Sequence, residues 1–590
     1  MRYNFSLLFN ELKAYKKELI FANIIAFFAV VVSTPVPLLM PMLVDEILLH
    51  KEGWVVGCVD FFFGASNQPY MYIIMVLIVV LILRFLFYIL NYQQTKLFTI
   101  VSKNIALKIR EDLLNHLSRV RMNEFEFFGS GKASSLLVVD VETIDNFFGV
   151  FVSRLIISIF TIFGVGTVLL FIHWQLALFI LILNPIVIVF TTKLAKKVSL
   201  LKKEQNKAYE VFQDTLSETL DLFVQIRSTN KEQLFFGKVM ECAREMKKSS
   251  ILFGYKSDGA SRLSFLVFLG GFEIFRAASI FVVAYSDLSI GLMLAIFGYL
   301  WVMMTPIQDI LNIQYAYHNA QKALDRINTI FDLQTEEKPL HVSNPFAQNW
   351  TNSIEVKNLS FSYDGVKEVL NGINLSIPKG SKVAIIGASG SGKTTLAHLL
   401  VGLYPLENGE IFFDGIPVKD IGLDVVRENL FLVLQNPQLF NASIAQNLLI
   451  DATIDAKLIH QALKIAQLDH FVSELEEGLE TQIGKHGMKL SGGQRQRLSI
   501  ARMVIQNPNI VILDESTSAL DVHTESKLFH ELEAYLEGKT TIIIAHRLST
   551  IKKADYIYVL DKGVIVESGT HEELMNKEGA FFSYVIKSQE

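Results

Sequence analysis

Six apolar stretches, each long enough to cross a lipid bilayer, constrain this chain more than any other feature. A membrane-spanning helix needs about 20 mostly apolar residues. The stretches cover residues 20–44, 70–92, 148–173, 174–192, 263–285 and 288–313. With 51% apolar and only 19% charged residues, the chain differs from an average soluble enzyme. The sequence therefore predicts a six-helix membrane domain, with six buried helices of a large soluble protein as the alternative.

Lysine and arginine are distributed asymmetrically around these stretches. They are abundant before the first stretch, between the second and third, and between the fourth and fifth, whereas the opposite side carries Lys51 alone. Because cytoplasmic loops carry the excess of these residues, we expect both termini in the cytoplasm. The chain is thus predicted to be a multi-pass protein of the cell (inner or plasma) membrane. The buried-helix alternative leaves this asymmetry unexplained.

Charge and cysteine content exclude other classes of protein. The net charge is −5 and no basic block is present, so no nucleic-acid partner is expected. Cys58 and Cys242 fall on opposite sides of the predicted membrane, and no zinc-ligand spacing occurs.

Composition also divides the chain. The predicted division is a membrane domain over residues 1–320, a linker over 321–350 and a cytoplasmic soluble domain over 351–590. Apolar spacing in the two inner loops predicts helices that continue out of the membrane, and a helix from residue 70 to about 119 would be about 75 Å long. Their turns, near residues 123–132 and 216–227, either contact the soluble domain or pack as ordinary cytosolic structure. The outer loop, residues 46–69, either lies on the membrane surface or packs as a loop.

A phosphate-binding loop opens the chemistry of the soluble domain. Its residues are Gly387, Ala388, Ser389, Gly390, Ser391, Gly392, Lys393 and Thr394, followed by Thr395. An apolar strand-like run precedes them and a helix-like run follows, as the pattern requires. Glycines let backbone N–H groups approach phosphates, and a helix N-terminus favours negative charge. Lys393 is expected to reach the β- and γ-phosphates, and the Thr394 hydroxyl is expected to ligate Mg²⁺.

A second apolar run, residues 510–513, ends in two carboxylates. A buried parallel strand places its carboxyl end at the ligand crevice. Asp514 is therefore expected to help hold Mg²⁺, and Glu515 to activate or position the attacking water. Taken alone, such a strand end is also typical of a helix cap. Together with the phosphate-binding loop it predicts an α/β P-loop ATPase that uses ATP and Mg²⁺.

Between these two motifs lies the sequence Leu490-Ser491-Gly492-Gly493-Gln494. With it, nearly the whole chain resembles an exporter-type half of an ABC transporter: six spans followed by one ATP-binding cassette. The resemblance implies a dimer, since this signature serves the nucleotide held by a second cassette. Because all catalytic positions carry competent residue types, a homodimer is favoured over a heterodimer.

The resemblance also assigns roles to individual residues. It implies that Tyr363 stacks on adenine, that Gln435 senses Mg²⁺, and that the 518–521 loop with Asp521 crosses the dimer interface. Catalytic roles fall to Glu515, His546 and Lys393, and Mg²⁺ ligation to Thr394, Gln435 and Asp514. One position departs from the family pattern: Lys485 replaces a usual Glu just before the signature, in a segment implied to contact the membrane domain.

Four ionisable residues within the predicted spans are candidates for a cargo cavity: Arg84, Arg154, Glu273 and Arg276. Glu273 and Arg276, at i and i+3, can instead neutralise each other, and the other two arginines can pair with carbonyl groups. The sixth span has no Lys or Arg but carries Phe297, Tyr299 and Trp301.

An aromatic, weakly charged cavity lining predicts hydrophobic or amphipathic cargo: a drug-like molecule, a lipid or a peptide. It argues against lipopolysaccharide without excluding it. ATP-driven export by alternating access is the favoured function. The alternatives are import of a metal chelate on the same scaffold and a regulatory membrane ATPase that moves no cargo.

Overall fold

The computed structural model describes residues 2–51, 53–64, 68–285, 288–337, 340–363, 365–448, 456–516, 520–544 and 551–587. The chain forms two compact units. The first comprises Met1–Asn115 and Gly131–Asp332, and the second comprises His116–Ser130 and Leu333–Glu590.

Helices account for the N-terminal part of the chain. They are α1 Phe5–Leu12, α2 Lys16–Ser33, α3 Val36–Leu43, α4 Trp54–Phe63, α5 Pro69–Leu117, α6 Met122–Phe128, α7 Ser130–Ser135, α8 Val141–Asn146, α9 Ser153–Ile172, α10 Trp174–Asp221, α11 Phe223–Ser228, α12 Glu232–Tyr285 and α13 Ile290–Phe331. Wider π-helical segments occur at Val44–Leu48, Leu136–Asp140 and Phe147–Val152. The predicted continuation of helices beyond the apolar stretches is confirmed, since α5, α10 and α12 have 49, 48 and 54 residues.

Five helical segments among the described residues are long and apolar enough to cross a membrane. They are Phe5–Leu48, Pro69–Leu117, Ser130–Ile172, Glu232–Tyr285 and Ile290–Ile310. The fourth predicted span, residues 174–192, is helical within α10, but most of its side chains lie outside the described residues. A single extended residue, His173, separates α9 from α10, and its Nδ1 accepts a hydrogen bond from Leu176 N at 3.4 Å. The third and fourth stretches therefore form a tight hairpin.

The first predicted span is not one continuous helix. Helix α2 ends at Ser33 and α3 begins at Val36, because Pro35 and Pro37 supply no N–H groups to continue the helical hydrogen bonding. The Thr34 carbonyl instead accepts a hydrogen bond of 2.6 Å from the hydroxyl of Tyr299, a side chain on α13 that is fully buried. The break thus leaves this carbonyl group paired, as an apolar environment requires.

The segment after the first span packs against its neighbours. Glu46 accepts hydrogen bonds from the backbone N–H groups of Val55 (3.0 Å) and Val56 (2.5 Å) at the start of α4. Val55 and Val59 are buried in an apolar cluster that also contains Tyr72 of α5. The described part of residues 46–69 therefore contains a packed helix rather than a loop, and its position on the membrane surface stays a prediction.

The second unit contains two sheets. The strands are β1 Ile354–Ser362, β2 Glu368–Ile377, β3 Lys382–Ile386, β4 Asn408–Phe413, β5 Ile416–Pro417, β6 Leu430–Val433, β7 Ile510–Asp514, β8 Thr540–Ile544, β9 Tyr556–Asp561 and β10 Val564–Gly569. An antiparallel sheet has the order β2-β1-β4-β5, and the second sheet has the order β10-β9-β3-β8-β7-β6. In the second sheet all neighbours are parallel except β9 and β10.

Further helices cover these sheets: α14 Lys393–Leu400, α15 Val418–Ile421, α16 Leu423–Asn429, α17 Ile444–Leu448, α18 Ala456–Ile465, α19 Asp469–Ser473, α20 Gly492–Gln506, α21 Val522–Leu536, α22 His571–Asn576 and α23 Ala580–Lys587. Strand β7 is buried at every position, as expected for a strand covered on both faces. Ile544 pairs with Ile385 on one side and with Asp514 on the other, so β3, β8 and β7 end at the same edge. That edge positions the site.

Candidate functional site

The phosphate-binding loop connects β3 to α14 at this edge of the parallel sheet. A Cβ atom on Gly387 would lie 2.0 Å from the carbonyl oxygen of Leu560, so the backbone approaches too closely for any side chain. Gly392, which precedes α14, has φ 103°, a conformation that favours glycine. These two glycines allow a tight turn that ends at a helix N-terminus, where anions are stabilised.

Lys393, the first residue of α14, is turned back onto the loop. Its Nζ donates to the carbonyl oxygens of Gly387 at 3.0 Å and Ala388 at 2.9 Å, and the residue is 6% exposed. Burial lowers the pKa of Lys393, while the carboxylates of Glu515 and Asp514 act to raise it. A buried ammonium group therefore lies between the loop and two acids.

Asp514 is the last residue of β7 and Glu515 follows it. Each of these acids contacts another predicted site residue. Asp514 is 3% exposed and accepts a hydrogen bond from the Thr394 hydroxyl. Burial raises the pKa of Asp514 and Glu515 adds to this effect, whereas the Thr394 bond opposes it. Glu515 accepts a hydrogen bond of 2.5 Å from Gln435 Nε2 to its Oε2. The structure thus brings together predicted residues from three segments that are distant in sequence.

Tyr363 lies directly after β1 and remains half-exposed. Its hydroxyl group is 3.0 Å from Thr395 Oγ1, one turn inside α14. Its ring meets the rings of Phe361 and Tyr404 edge to face, with centroid distances of 5.0 and 5.2 Å. An aromatic face beside the phosphate-binding loop is therefore held by neighbouring rings.

The signature begins helix α20. Ser491 Oγ accepts a hydrogen bond from Gln494 N (3.2 Å), and Gln494 Oε1 accepts one from Ser491 N (2.8 Å), which forms a capping box. Within the described residues, neither side chain bonds to the phosphate-binding loop or to β7. Gly492 and Gly493 are the first two residues of the helix. The chain therefore holds its signature as a separate, preformed helix N-terminus.

Two further predicted elements are only partly described. Asp521 caps α21 and accepts hydrogen bonds from His523 N (3.2 Å) and Thr524 N (3.0 Å). The Thr524 backbone bond is the main cause that lowers the pKa of Asp521. His546 and residues 518–519 lie outside the described residues.

The segment with the unusual Lys485 forms a short 3-10 turn, Lys485–Gly487. A cavity of about 560 Å³ lies beside it, lined by residues that include Gln435, His486, Arg495 and Gln496 but not Lys485. Gln496 Nε2 donates to the Gln435 carbonyl at 2.8 Å and so joins α20 to the glutamine segment. His486 therefore lines this cavity together with Gln435, whereas Lys485 does not.

In the first unit, Arg84 and Arg154 line one cavity of about 430 Å³ together with Asp309. Asp309 accepts a hydrogen bond of 2.9 Å from Ser158. Neither arginine has a hydrogen bond or an ion pair within the described residues. Because an unpaired charge at membrane depth is costly, these two guanidinium groups form a candidate binding site.

The other two candidates do not line that cavity. Arg276 Nη2 and Glu273 Oε2 form an ion pair of 2.6 Å on α12, and both side chains are about half-exposed. The aromatic side chains of the sixth span do not line this cavity, although Phe87 of α5 does. Tyr299 and Phe297 pack among the membrane helices, and Trp301 contacts Phe272, whereas α13 contributes Val302, Thr305, Pro306 and Asp309 to the cavity.

Sequence reasoning missed three residues of these sites. Asp309, a carboxylate inside the sixth apolar stretch, was a visible signal of the same kind as Arg84. Tyr404 and Gln496 gave no local signal, because their roles depend on contacts with distant segments.

Comparisons with known proteins agree with this arrangement. Residues 20–307 match the family described as ABC transporter transmembrane region, and residues 370–518 match the family described as ABC transporter. A Haemophilus influenzae protein named ATP-dependent lipid A-core flippase is 31% identical over 585 residues, which covers 97% of each chain. A protein of the same name from Escherichia coli O6:K15:H31 is 31% identical over 532 residues, 88% of this chain and 89% of that one.

The fold matches a solved structure described as a bacterial Atm1-family ABC exporter with ATP bound. The TM-score is 0.81 at 22% identity, over 97% of this chain and 98% of that chain. The importer and regulatory alternatives gain no support from these similarities. The chain therefore belongs to the ABC transporter family, as an exporter-type chain whose ATPase is coupled to movement of a substrate across the membrane.

Proposed function

We propose that the chain is one half of a homodimeric lipid exporter, in which each ATP lies between the phosphate-binding loop of one copy and the signature of the other. One observation carries this proposal. Lys393, Asp514 and Glu515 come together at the sheet edge, whereas Ser491 bonds only within its own segment. A second copy, related by a two-fold axis, would complete both sites.

Each part of the loop site has a proposed role toward ATP. Tyr363 stacks on adenine, and its half-exposed ring offers the face for it. The backbone of residues 387–392 and the Lys393 ammonium hold the phosphates, because a phosphate oxygen can replace the loop carbonyls that Lys393 now contacts. Binding of the phosphates would therefore replace neutral carbonyl partners of this buried ammonium group with anionic ones.

The residues around Asp514 fit a magnesium ion. Thr394 and Asp514 already lie within hydrogen-bonding distance, Gln435 adds an amide oxygen, and Ser391 Oγ is buried with no hydrogen-bond partner in the described residues. Such oxygen groups are the ligands that Mg²⁺ prefers. When bound, the ion neutralises charge on the phosphate oxygens. Burial raises the pKa of Asp514, and a nearby cation would act to lower it.

Hydrolysis is assigned to Glu515. Its carboxylate is held by Gln435 Nε2 and lies at the end of β7, where it can accept a proton from the attacking water. We propose that Ser491, Gly492 and Gly493 of the second copy close over the γ-phosphate, and that His546 contacts it as well. ATP binding would then bring the two cassettes together, and hydrolysis would release them.

The cargo is proposed to be an amphipathic lipid with an anionic group. Two unpaired guanidinium groups, Arg84 and Arg154, suit a phosphate or carboxylate headgroup. The relatives named lipid A-core flippase point to the same class. Reasoning from the sixth span alone underestimated this possibility, because the cationic groups come from α5 and α9. We also propose that the cassette and both termini lie in the cytoplasm. The proposed domain boundaries are a membrane domain that ends at residue 320 and a cassette that begins after a linker ending at residue 350.

The test is a lipid-movement assay with purified protein in vesicles. ATP is added outside, so that only molecules with external cassettes are active, and a fluorescent anionic lipid is quenched by external dithionite. Export moves the lipid into the inner leaflet, and its protection from dithionite rises with ATP. Import would lower the protection, and a regulatory ATPase would leave it unchanged.

The Arg84→Gln/Arg154→Gln variant tests the cavity. We expect lipid movement at least tenfold slower, with basal ATP hydrolysis within twofold of the parent protein. Arg276→Gln is the matched control, since this arginine is paired outside the cavity. If the double variant moves lipid at the parent rate, the cavity assignment is wrong, whereas the ATPase assignment stands.

A further inference from the structure

A second apolar space in the first unit lies on a different side of the membrane helices. This N-terminal groove, about 330 Å³, is lined by α1, the start of α2, α5, the π-helical segment 147–152 and α9. Its apolar side chains include Phe9, Leu19, Ile20, Phe98 and Phe148. Phe9 and Ile20 are more than half exposed, so the groove is open along one side. None of these residues belongs to the nucleotide site or to the cavity of Arg84.

Apart from Ser102, whose hydroxyl already donates to Asp145, the described lining of the groove is polar at only two levels. Lys13 lies in the turn between α1 and α2, Lys16 is the first residue of α2, and no carboxylate group lines the groove within the described residues. Lys13 Nζ donates to Asn10 at 2.8 Å, while Lys16 has no ion pair or hydrogen bond from its ammonium group in the described part of the chain. Two cations at one end of an apolar groove complement one anionic headgroup attached to a hydrocarbon chain.

The second polar level is Asn23, seven residues beyond Lys16. This separation corresponds to about 10 Å along a helix axis. The Asn23 Oδ1 atom is buried and has no hydrogen-bond partner in the described residues. A buried acceptor without a partner is costly, and the hydrated ester region of a phospholipid would supply a bridging water to it.

We propose that the N-terminal groove binds an anionic glycerophospholipid, with its phosphate on Lys13 and Lys16 and one acyl chain along Leu19, Phe98 and Phe148. The lysines precede the first span, so the lipid belongs to the cytoplasmic leaflet in the proposed orientation. The groove takes a single chain and headgroup, and its location outside the Arg84 cavity separates this lipid from the cargo.

Binding there would brace α1 against the membrane helices. Phe5 of α1 already stacks on Tyr317 of α13 with centroids 4.6 Å apart and meets Phe147 edge to face at 5.5 Å. Nearby, Ser102 of α5 donates to Asp145 at 2.5 Å. A bound lipid would contact the same elements from the open side of the groove. Because it binds the folded protein, it should also raise the thermal stability.

The experiment compares charge and shape variants in nanodiscs. Native mass spectrometry of the full-length protein counts retained phosphatidylglycerol, and titration gives its Kd, with phosphatidylcholine as the uncharged-headgroup comparison. For Lys13→Glu/Lys16→Glu we expect phosphatidylglycerol binding at least tenfold weaker and loss of the rise in Tm. Ile20→Trp, which fills the groove but keeps both lysines, should weaken binding similarly.

Lys17→Glu is the matched control, because this neighbouring lysine does not line the groove. Unchanged binding in Lys17→Glu, with loss in the other two variants, supports the proposal. Equal loss in all three would mean general surface attraction and would overturn it. So would an undiminished Kd in Ile20→Trp, equal affinity for phosphatidylcholine, or full binding by Lys13→Glu/Lys16→Glu, which would show that something else covers the groove.

Discussion

The Tyr404 hydroxyl group donates to both carboxylate oxygens of Glu126, at 3.0 and 3.1 Å. Glu126 lies on α6, a short helix that follows the long α5, yet residues 116–130 belong to the same compact unit as the cassette. Burial and the Glu126 carboxylate raise the pKa of Tyr404 above its usual range, which favours the protonated, donating form of the hydroxyl. Since the Tyr404 ring supports Tyr363, the contact links α6 to the proposed adenine site.

Tyr404→Phe should weaken the coupling of cargo to hydrolysis. The ring remains, but Glu126 loses a hydrogen bond to a charged group, worth about 1.5–3 kcal/mol. We expect lipid-stimulated ATPase activity to fall close to the basal rate, while basal activity stays within twofold. A double-mutant cycle with Glu126→Ala checks the link: the double variant should be no worse than either single one, and additive losses would contradict it.

Glu515→Gln should trap ATP. Removing a general base costs about 10²–10⁴-fold in rate, while Lys393 and the loop still bind the nucleotide. We expect ATP hydrolysis at least 100-fold slower with bound ATP retained, measured by phosphate release and by filter binding. Lys393→Ala is the comparison and should lose bound ATP. Turnover near the parent rate in Glu515→Gln would refute the role of this carboxylate.

Mixed dimers test whether each site is shared between copies. One dimer combines a Lys393→Ala copy with a Ser491→Glu copy, which leaves one intact shared site. The other combines a doubly substituted copy with an unchanged copy, which leaves none. We therefore expect ATPase activity in the first mixed dimer and nearly none in the second, measured after tandem-tag purification. The opposite ranking would mean that each chain completes its own site.

Gly291→Ala should destabilise the membrane unit. Asp45, which is buried, accepts a hydrogen bond of 3.0 Å from Gly291 N at the start of α13, and an added Cβ would lie 2.4 Å from both Asp45 Oδ2 and the Pro41 carbonyl oxygen. Overpacking of this kind costs about 1–3 kcal/mol. We expect a lower Tm in detergent. Gly270→Ala is the control, because a Cβ there would have no atom within 4 Å, and it should leave the Tm nearly unchanged. An equal loss of Tm in Gly270→Ala would contradict overpacking as the cause.

Asp414→Asn should destabilise the protein in a pH-dependent way. Burial alone would raise the pKa of Asp414, but hydrogen bonds from Ser353 and Asn352 and an ion pair with Lys379 hold it below its usual value. A lowered pKa contributes stability above the unfolded value of about 4, which is lost as the pH falls through the folded value. The Tm difference from the parent should be full at pH 7 and shrink below pH 4. Glu477→Gln, at an exposed position, is the control; a pH-independent difference would contradict the argument.

Long elements with a strong pattern could be predicted from the sequence. Apolar length indicated the membrane helices, and the apolar run before Asp514 indicated a buried parallel strand, because both signals are local. The break at Thr34 was missed, although Pro35 and Pro37 make a break physically expected. Length and hydropathy alone do not register the loss of a backbone donor.

Contacts between distant segments could not be predicted. Nothing near Glu126 indicates that it meets Tyr404, and nothing near Asp309 indicates that it shares a cavity with Arg84 and Arg154. These relationships arise from the packing of segments that are 100 or more residues apart, and a single sequence contains no signal for that packing. The phosphate-binding residues could be predicted because their roles depend on the ends of parallel strands, which must lie at the same edge of the sheet.

The hydrogen bond from Tyr299 to the Thr34 carbonyl has a mechanical consequence. Two prolines would ordinarily make the first span a hinge, free to bend about its own middle. Because the Thr34 carbonyl accepts a hydrogen bond from a buried tyrosine of α13, bending of the first span is coupled to α13. The first and sixth spans should therefore tilt together during transport. The outer end of the pathway would then open by movement of both helices rather than by bending of the first span alone.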